Sequence, residues 1–219
     1  MTLPDRILDK LEALLNRADA LLPAEPPPVD WGAAAFRWRR TQGGGYLQTV
    51  QHPHRISLDA LHNIEPQKQA IVRNTRRFMA DRPANNLLLT GARGTGKSTL
   101  IKACWNVFAE QGLKLVEVDK TDLMHLGDIL AQLEERPERF ILFCDDLSFE
   151  EGESGYKALK SALDGSIAAA SANILFYATS NRRHLLPQTM RENLDVSYEE
   201  GELRPGDSVE EKVSLSDRF

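Results

Sequence analysis

Asn86-Leu87-Leu88-Leu89-Thr90-Gly91-Ala92-Arg93-Gly94-Thr95-Gly96-Lys97-Ser98-Thr99 decides the fold. The apolar run Leu87–Leu89 reads as a buried parallel strand. A glycine-rich turn follows, and then a helix over 97–111, with Leu100, Ile101, Cys104, Val107 and Phe108 inward and Gly112 closing it. Residues 91–98 satisfy GxxxxGK[ST] in full, in the strand–loop–helix setting that gives the pattern its meaning. Glycines let backbone N–H groups turn inward and cradle phosphate oxygens. The helix N-terminus adds positive potential. Lys97 is placed to reach the β and γ phosphates, and the Ser98 hydroxyl to reach Mg2+. Gly91, Ala92, Arg93, Gly94, Thr95, Gly96, Lys97, Ser98 and Thr99 are therefore the candidate nucleotide-binding residues.

Downstream, strands and helices alternate. Strands are expected at 113–118, 140–144 and 173–179. Helices are expected around Leu123–Leu133 and from Ser154 through Ile167, and a capping-box signal at Ser208-Val-Glu-Glu211 marks one more. Alternation of this kind implies α/β architecture, a doubly wound parallel sheet with helices on both faces.

The strand Phe140-Ile-Leu-Phe-Cys ends in Asp145-Asp146. An apolar strand that delivers a carboxylate to its C-terminal end, beside the glycine-rich turn, suits a Walker B aspartate. Asp145 is the second candidate metal ligand. Asp146 occupies the place of a water-orienting base, about one methylene shorter than Glu, and Glu150 and Glu151 are alternatives if their loop folds back. Glu153 reads as a solvated loop residue. Ser180-Asn181 closes the fourth strand, and an amide there can bond a γ-phosphate or the attacking water. Arg182 and Arg183 follow.

Upstream the signals are softer. Residues 4–22 carry one apolar stripe (Ile7, Leu11, Leu14, Ala18, Leu21), read either as a helix packed on its own domain or as one docking on a partner. Pro23 to Pro28 is a stiff spacer. Phe36-Arg-Trp38-Arg-Arg40 alternates aromatic and basic residues. That suits either a half-buried strand with arginines outward or a base-stacking surface. Tyr46–Gln51 reads as a short strand. Pro66 opens a helix with Ile71, Val72 and Phe78 on one side and Arg73, Arg76 and Arg77 on the other. Asp119-Lys-Thr-Asp122 stands too early for a guanine-reading box, and His52-Pro-His54 lacks further metal ligands.

The 219 residues are 42% hydrophobic and 27% charged, an ordinary globular composition with room for one domain and an appendage. Twenty-seven basic against 32 acidic residues give a net charge of −5, which excludes a basic nucleic-acid coat though not a local patch. Cys104 and Cys144 are too few for a disulfide framework and read as buried thiols. No apolar stretch is long enough to span a membrane and the N-terminus has no secretory pattern, so a cytoplasmic protein is expected.

GARGTGKS, FCDDLSFEEGE, YATSNRRHLLP and EKVSLSDRF together resemble AAA+ ATPases, most closely a bacterial group of single-module AAA+ ATP-binding proteins of uncharacterised role. The resemblance covers roughly residues 31–219. It implies ATP and Mg2+ as cofactors, hydrolysis, and assembly into a homo-oligomer in the ATP state. It makes Asn181 a sensor, Arg218 an arginine finger reaching a neighbouring subunit, and 57–65 the adenine-side loop with Ile64 as its contact. Residues 1–30 then form a helix and linker, and 31–219 the nucleotide-binding domain. The family's strand order is 5-1-4-3-2. Its fifth strand and helical lid are not seen in this sequence, which suggests an N-terminal fragment, or an edge on the Leu87 strand that the first 60 residues could cover.

Two function classes follow. One is an ATP hydrolase driving assembly, remodelling or loading of a macromolecular client. The other is a slow or non-hydrolysing switch that docks a partner, motivated by the short Asp146. A small-molecule kinase is a third, disfavoured by Asn181 and by the terminal SLSDRF. Nucleic acid is permitted as a client by local arginine clusters but not supported by net charge.

Overall fold

A computed structural model describes Ile7, residues 10–13, 26–41, 43–149, 153–163, 172–181, 197–199 and 202–204. Six strands form one sheet in the order β2-β1-β4-β5-β6-β3. They are β1 (Ala35–Thr41), β2 (Gly44–Thr49), β3 (Leu87–Thr90), β4 (Leu113–Glu117), β5 (Arg139–Cys144) and β6 (Ile174–Ser180). Every neighbouring pair is parallel except β1 and β2. Beyond the N-terminal helical stretch, the α-helices among the described residues are, in chain order, α1 (Glu65–Met79), α2 (Lys97–Ala109), α3 (Leu126–Glu134) and α4 (Ser154–Leu163). A separate antiparallel pair joins β7 (Ser197–Glu199) to β8 (Glu202–Arg204).

Side-chain alternation along the strands sends successive residues to opposite faces and so builds two cores. From β5, Ile141 and Phe143 pack with α1 and α2 through Ile71, Phe78, Ile101 and Trp105. Phe140, Leu142 and Cys144 pack with α3 and α4 through Ile129, Leu133, Tyr156 and Leu159. The expected α/β sheet with helices on both faces is what forms. β3, β6, β5 and β4 stand in the 1-4-3-2 order that the resemblance implied.

The half-buried strand and the short strand read around 36–40 and 46–51 are β1 and β2; what the sequence did not give is their pairing, a hairpin that joins β4 at the opposite edge from β3. The hairpin therefore does not cover the Leu87 strand. Among the described residues β3 pairs with β6 alone, so Leu87, Leu88 and Leu89 are only half-buried. The aromatic–basic run does not form a base-stacking surface: Phe36 and Trp38 are buried in the core. Arg37 bonds Glu117 (2.6 Å), Arg39 bonds Gln48 (2.8 Å), and Arg40 pairs with the buried Asp122 (2.7 Å), the last residue of the DKTD segment.

A buried polar cluster links α1 to β6. Thr75 Oγ1 lies 2.8 Å from the Tyr177 hydroxyl and 3.3 Å from Cys104 Sγ. Asn74 Nδ2 donates to the same hydroxyl (3.1 Å) and to the Asn85 carbonyl (2.7 Å). Of the first helix, Ile7 and residues 10–13 are described. They are helical, and Ile7 and Leu11 are about half exposed. The rest of that helix, Ile167, and the helix expected from Ser208 lie outside the described residues.

Candidate nucleotide-binding site

The parallel sheet puts the C-terminal ends of β3, β5 and β6 side by side, and the polar residues just beyond them form the site. Gly94 and Gly96 have φ of 76° and 82°, in the left-handed region that glycine enters without steric penalty. Gly96 is also the N-cap of α2, whose first helical residues are Lys97 and Ser98. The turn therefore delivers backbone N–H groups, a helix N-terminus and a cation to one place, the set of donors an anion requires.

Lys97 Nζ donates to the Gly91 carbonyl (2.8 Å), the Ala92 carbonyl (2.7 Å) and Asn181 Oδ1 (2.9 Å). The Ser98 hydroxyl donates to Asp145 Oδ1 at 2.5 Å. Asn181 also donates through Nδ2 to Asp146 Oδ1 (2.5 Å), and Arg93 Nη2 sits 3.6 Å from Asp146 Oδ2. The side chains of Arg93, Lys97, Ser98, Asp145, Asp146 and Asn181, with the turn from Gly94 to Gly96, Thr99 and Thr179, line a cleft of about 340 Å3. Lys97 and Asp145 thus share one cavity, with the glycine turn between them.

The carboxylate of Asp145 is asymmetric. Its Oδ1 accepts from Ser98, from Thr179 Oγ1 (2.5 Å) and from the Asp146 N–H (3.2 Å). No described residue donates to its Oδ2. A cation approaching that oxygen meets a carboxylate whose other oxygen is already fixed, beside the Ser98 hydroxyl, so the donor set suits a hard divalent ion completed by phosphate and water oxygens. Behind it, burial and the Asp145 charge push the Cys144 thiol up to about 12, so it stays protonated.

Asp146 is the other unusual residue. Its φ is 51°, left-handed and non-glycine. Asp and Asn occupy that region more readily than other side chains.

The other expected residues lie off this cleft or outside the described residues. Ile64 caps the N-terminus of α1 and packs, half-buried, on the α1–α2 core, outside the residues lining the cleft. Its segment is still nearby: a Cβ on Gly96 would lie 3.6 Å from Leu61 Cδ2. Glu153, read as a solvated loop residue, pairs with Lys120 at 3.2 Å. Glu150, Glu151, Arg182, Arg183 and Arg218 lie outside the described residues. Sequence reasoning missed Thr179, a buried residue whose hydroxyl touches both acids. The available signal was a polar residue ending an apolar strand, opposite Asp145 in the β5–β6 register.

The model of the family described as Protein of unknown function (DUF815) matches residues 32–219, and the chain belongs to that family. No curated protein matches it. Among solved structures the chain is similar to a point variant of Thermotoga maritima RuvB, at 21% identity and a TM-score of 0.42. The match covers 57% of this chain and 41% of that one, less than half of that structure's length.

Proposed function

Starting from a member of that family with this cleft at its strand tips, we propose that the chain is an AAA+ P-loop ATPase. It binds Mg-ATP and hydrolyses it to drive assembly, remodelling or loading of a macromolecular client. The observation that carries the reading is the 2.5 Å contact between the Ser98 hydroxyl and Asp145 at the start of α2, with Lys97 and Asn181 bonded across the same cleft.

In this reading residues Gly91–Thr99 wrap the phosphates and Ser98 and Asp145 hold the magnesium, which supplies positive charge against the phosphate oxygens. Asp146 orients the attacking water, with Glu150 or Glu151 as alternatives, and Asn181 senses the γ-phosphate. Arg218 acts on a neighbouring copy, so the working form is a homo-oligomer in the ATP state. Residues 57–65, with Ile64, serve the base. Residues 1–30 are an appended helix and linker, and 31–219 the nucleotide-binding domain. Among the described residues no helix is long and apolar enough to cross a membrane. We place the protein in the cytoplasm.

Lys97→Ala should abolish binding of a fluorescent ATP analogue, and unchanged affinity in that variant would refute the assignment. Arg218→Ala should keep binding but lose assembly-dependent phosphate release.

A second reading, the slow switch, draws on one observation. The Asp146 carboxylate is short, set in a left-handed turn and bonded to Asn181. Steady-state phosphate release by the wild type separates the two. Turnover stimulated by assembly supports the hydrolase, and stable ATP occupancy without turnover supports the switch.

A further inference from the structure

Asp145 and Asp146 are adjacent in sequence, yet their carboxylates serve different ends of the cleft. Something must hold the left-handed backbone at Asp146 that separates them. The β5–β6 ladder ends at Cys144 opposite Ala178, which brings Thr179 level with Asp145. Thr179 is 1% exposed. Its carbonyl accepts from the Leu147 N–H at 2.6 Å, so its backbone is tied to the segment just past the acids.

The hydroxyl has a single assignment. A threonine hydroxyl carries one donor and two acceptor sites. The Asp146 N–H, 2.9 Å away, can only donate to it. Its own proton then goes to Asp145 Oδ1 at 2.5 Å, since an ionised carboxylate only accepts. One buried group thus pins the Asp145 carboxylate and the left-handed backbone of Asp146 together.

We propose that Thr179 is a positioning residue for the metal: its hydroxyl fixes the Asp145 carboxylate so that Oδ2 is presented to the cation, while holding the Asp146 turn in place. This rests on the Mg-ATP reading above. Ser98 cannot do the same alone, because it approaches Oδ1 from the helix side and its hydroxyl is itself a candidate metal ligand. When Ser98 turns to a cation, Thr179 and the Asp146 amide are what still hold Oδ1.

The test is the affinity of the full chain for a fluorescent ATP analogue, measured with EDTA and across a Mg2+ titration. Thr179→Val keeps the size and removes the hydroxyl. Losing a charge-assisted hydrogen bond should raise the Mg2+ concentration for half-maximal binding about tenfold, with metal-free affinity within about twofold of wild type. Thr179→Ser should restore wild-type Mg2+ dependence. If Val disturbs folding, as judged by circular dichroism, Thr179→Ala carries the same expectation with more room.

Several results overturn the inference while leaving the ATP reading intact. One is wild-type Mg2+ dependence in the hydroxyl-free variants. Another is a Ser variant as impaired as Val. A third is equal loss of metal-free and metal-dependent binding, which marks a merely structural role. If the wild type binds no nucleotide at all, while remaining folded, the ATP reading itself fails and the inference falls with it.

Discussion

Replacing Asp146 by Glu, which restores the longer acid usual at this position in the resembling family, should weaken the protein. Asp146 has φ of 51°. In that region Cβ crowds the following carbonyl oxygen, a cost that Gly escapes and that Asn and Asp offset through short polar side chains bonding the nearby backbone, which the longer Glu does less well. We assign about 1 kcal/mol to moving from Asp to Glu in this turn. The added methylene also carries the carboxylate about 1.5 Å further out, a bond length beyond the place where Asn181 Nδ2 now meets it. That hydrogen bond is half-exposed and is assigned about 0.5 kcal/mol. The sum, about 1–2 kcal/mol, lowers the melting temperature by about 2–8 °C for a chain of this size. Asp146→Asn and Asp146→Gly should stay within about 2 °C of wild type, since both residues tolerate the turn. Thermal unfolding without nucleotide, followed by circular dichroism, reads all three. A Glu variant as stable as wild type, or a Gly variant that drops as far as Glu, would refute the reasoning. The same geometry predicts that Glu brings no gain in phosphate release, and a rise of about tenfold would mean that the turn adapts to it.

Two further predictions concern the scaffold. A Cβ on Gly45 would lie 2.2 Å from Trp38 Cζ2, and Trp38 is wholly buried. Gly45→Ala should cost about 1–3 kcal/mol in urea unfolding, and a neutral result would mean that the hairpin slides to make room. Burial pushes the Cys104 thiol from 9.0 up to about 11, because the hydrogen bond from Thr75 offsets it only in part. The native state therefore keeps this proton above pH 9 while the unfolded chain loses it, so stability falls as pH rises between about 9 and 11, by about 1.4 kcal/mol per unit from this group alone. Cys104→Ala should show a shallower alkaline decline by that amount, and parallel curves would count against it.

The strands and helices from Leu87 to Ser180 were legible because short apolar runs alternate with amphipathic segments and each is bounded by clear turn chemistry. GARGTGKS and FCDD were legible because clustered glycines, a lysine and paired acids beside apolar strands are residue types that packing alone does not call for. The β1–β2 hairpin was not, for two reasons. A strand's partner is set by long-range contacts, here Arg37 with Glu117 and Arg40 with Asp122, which no local pattern encodes. The edge that it joins is a choice between two open strands, and sequence order gives no preference. Thr179 escaped because its role depends on register: shifting β6 by one residue would turn its hydroxyl away from both acids. The left-handed backbone at Asp146 left only a compositional trace, an Asp where a Glu was expected.

The Tyr177 hydroxyl joins distant parts of the molecule. Tyr177 stands two residues before Thr179 on β6, and its ring and hydroxyl are fully buried against Asn74 and Thr75 of α1 and Cys104 of α2. That helix begins directly after the segment 57–65, while the strand ends at the two acids. Prising them apart would leave several polar atoms unpaired and dry at once, each costing about 1–3 kcal/mol. The start of α1 and the tip of β6 thus belong to two elements fastened at one buried hydroxyl, and no described loop separates Ile64 from Asn74 or Tyr177 from Ser180.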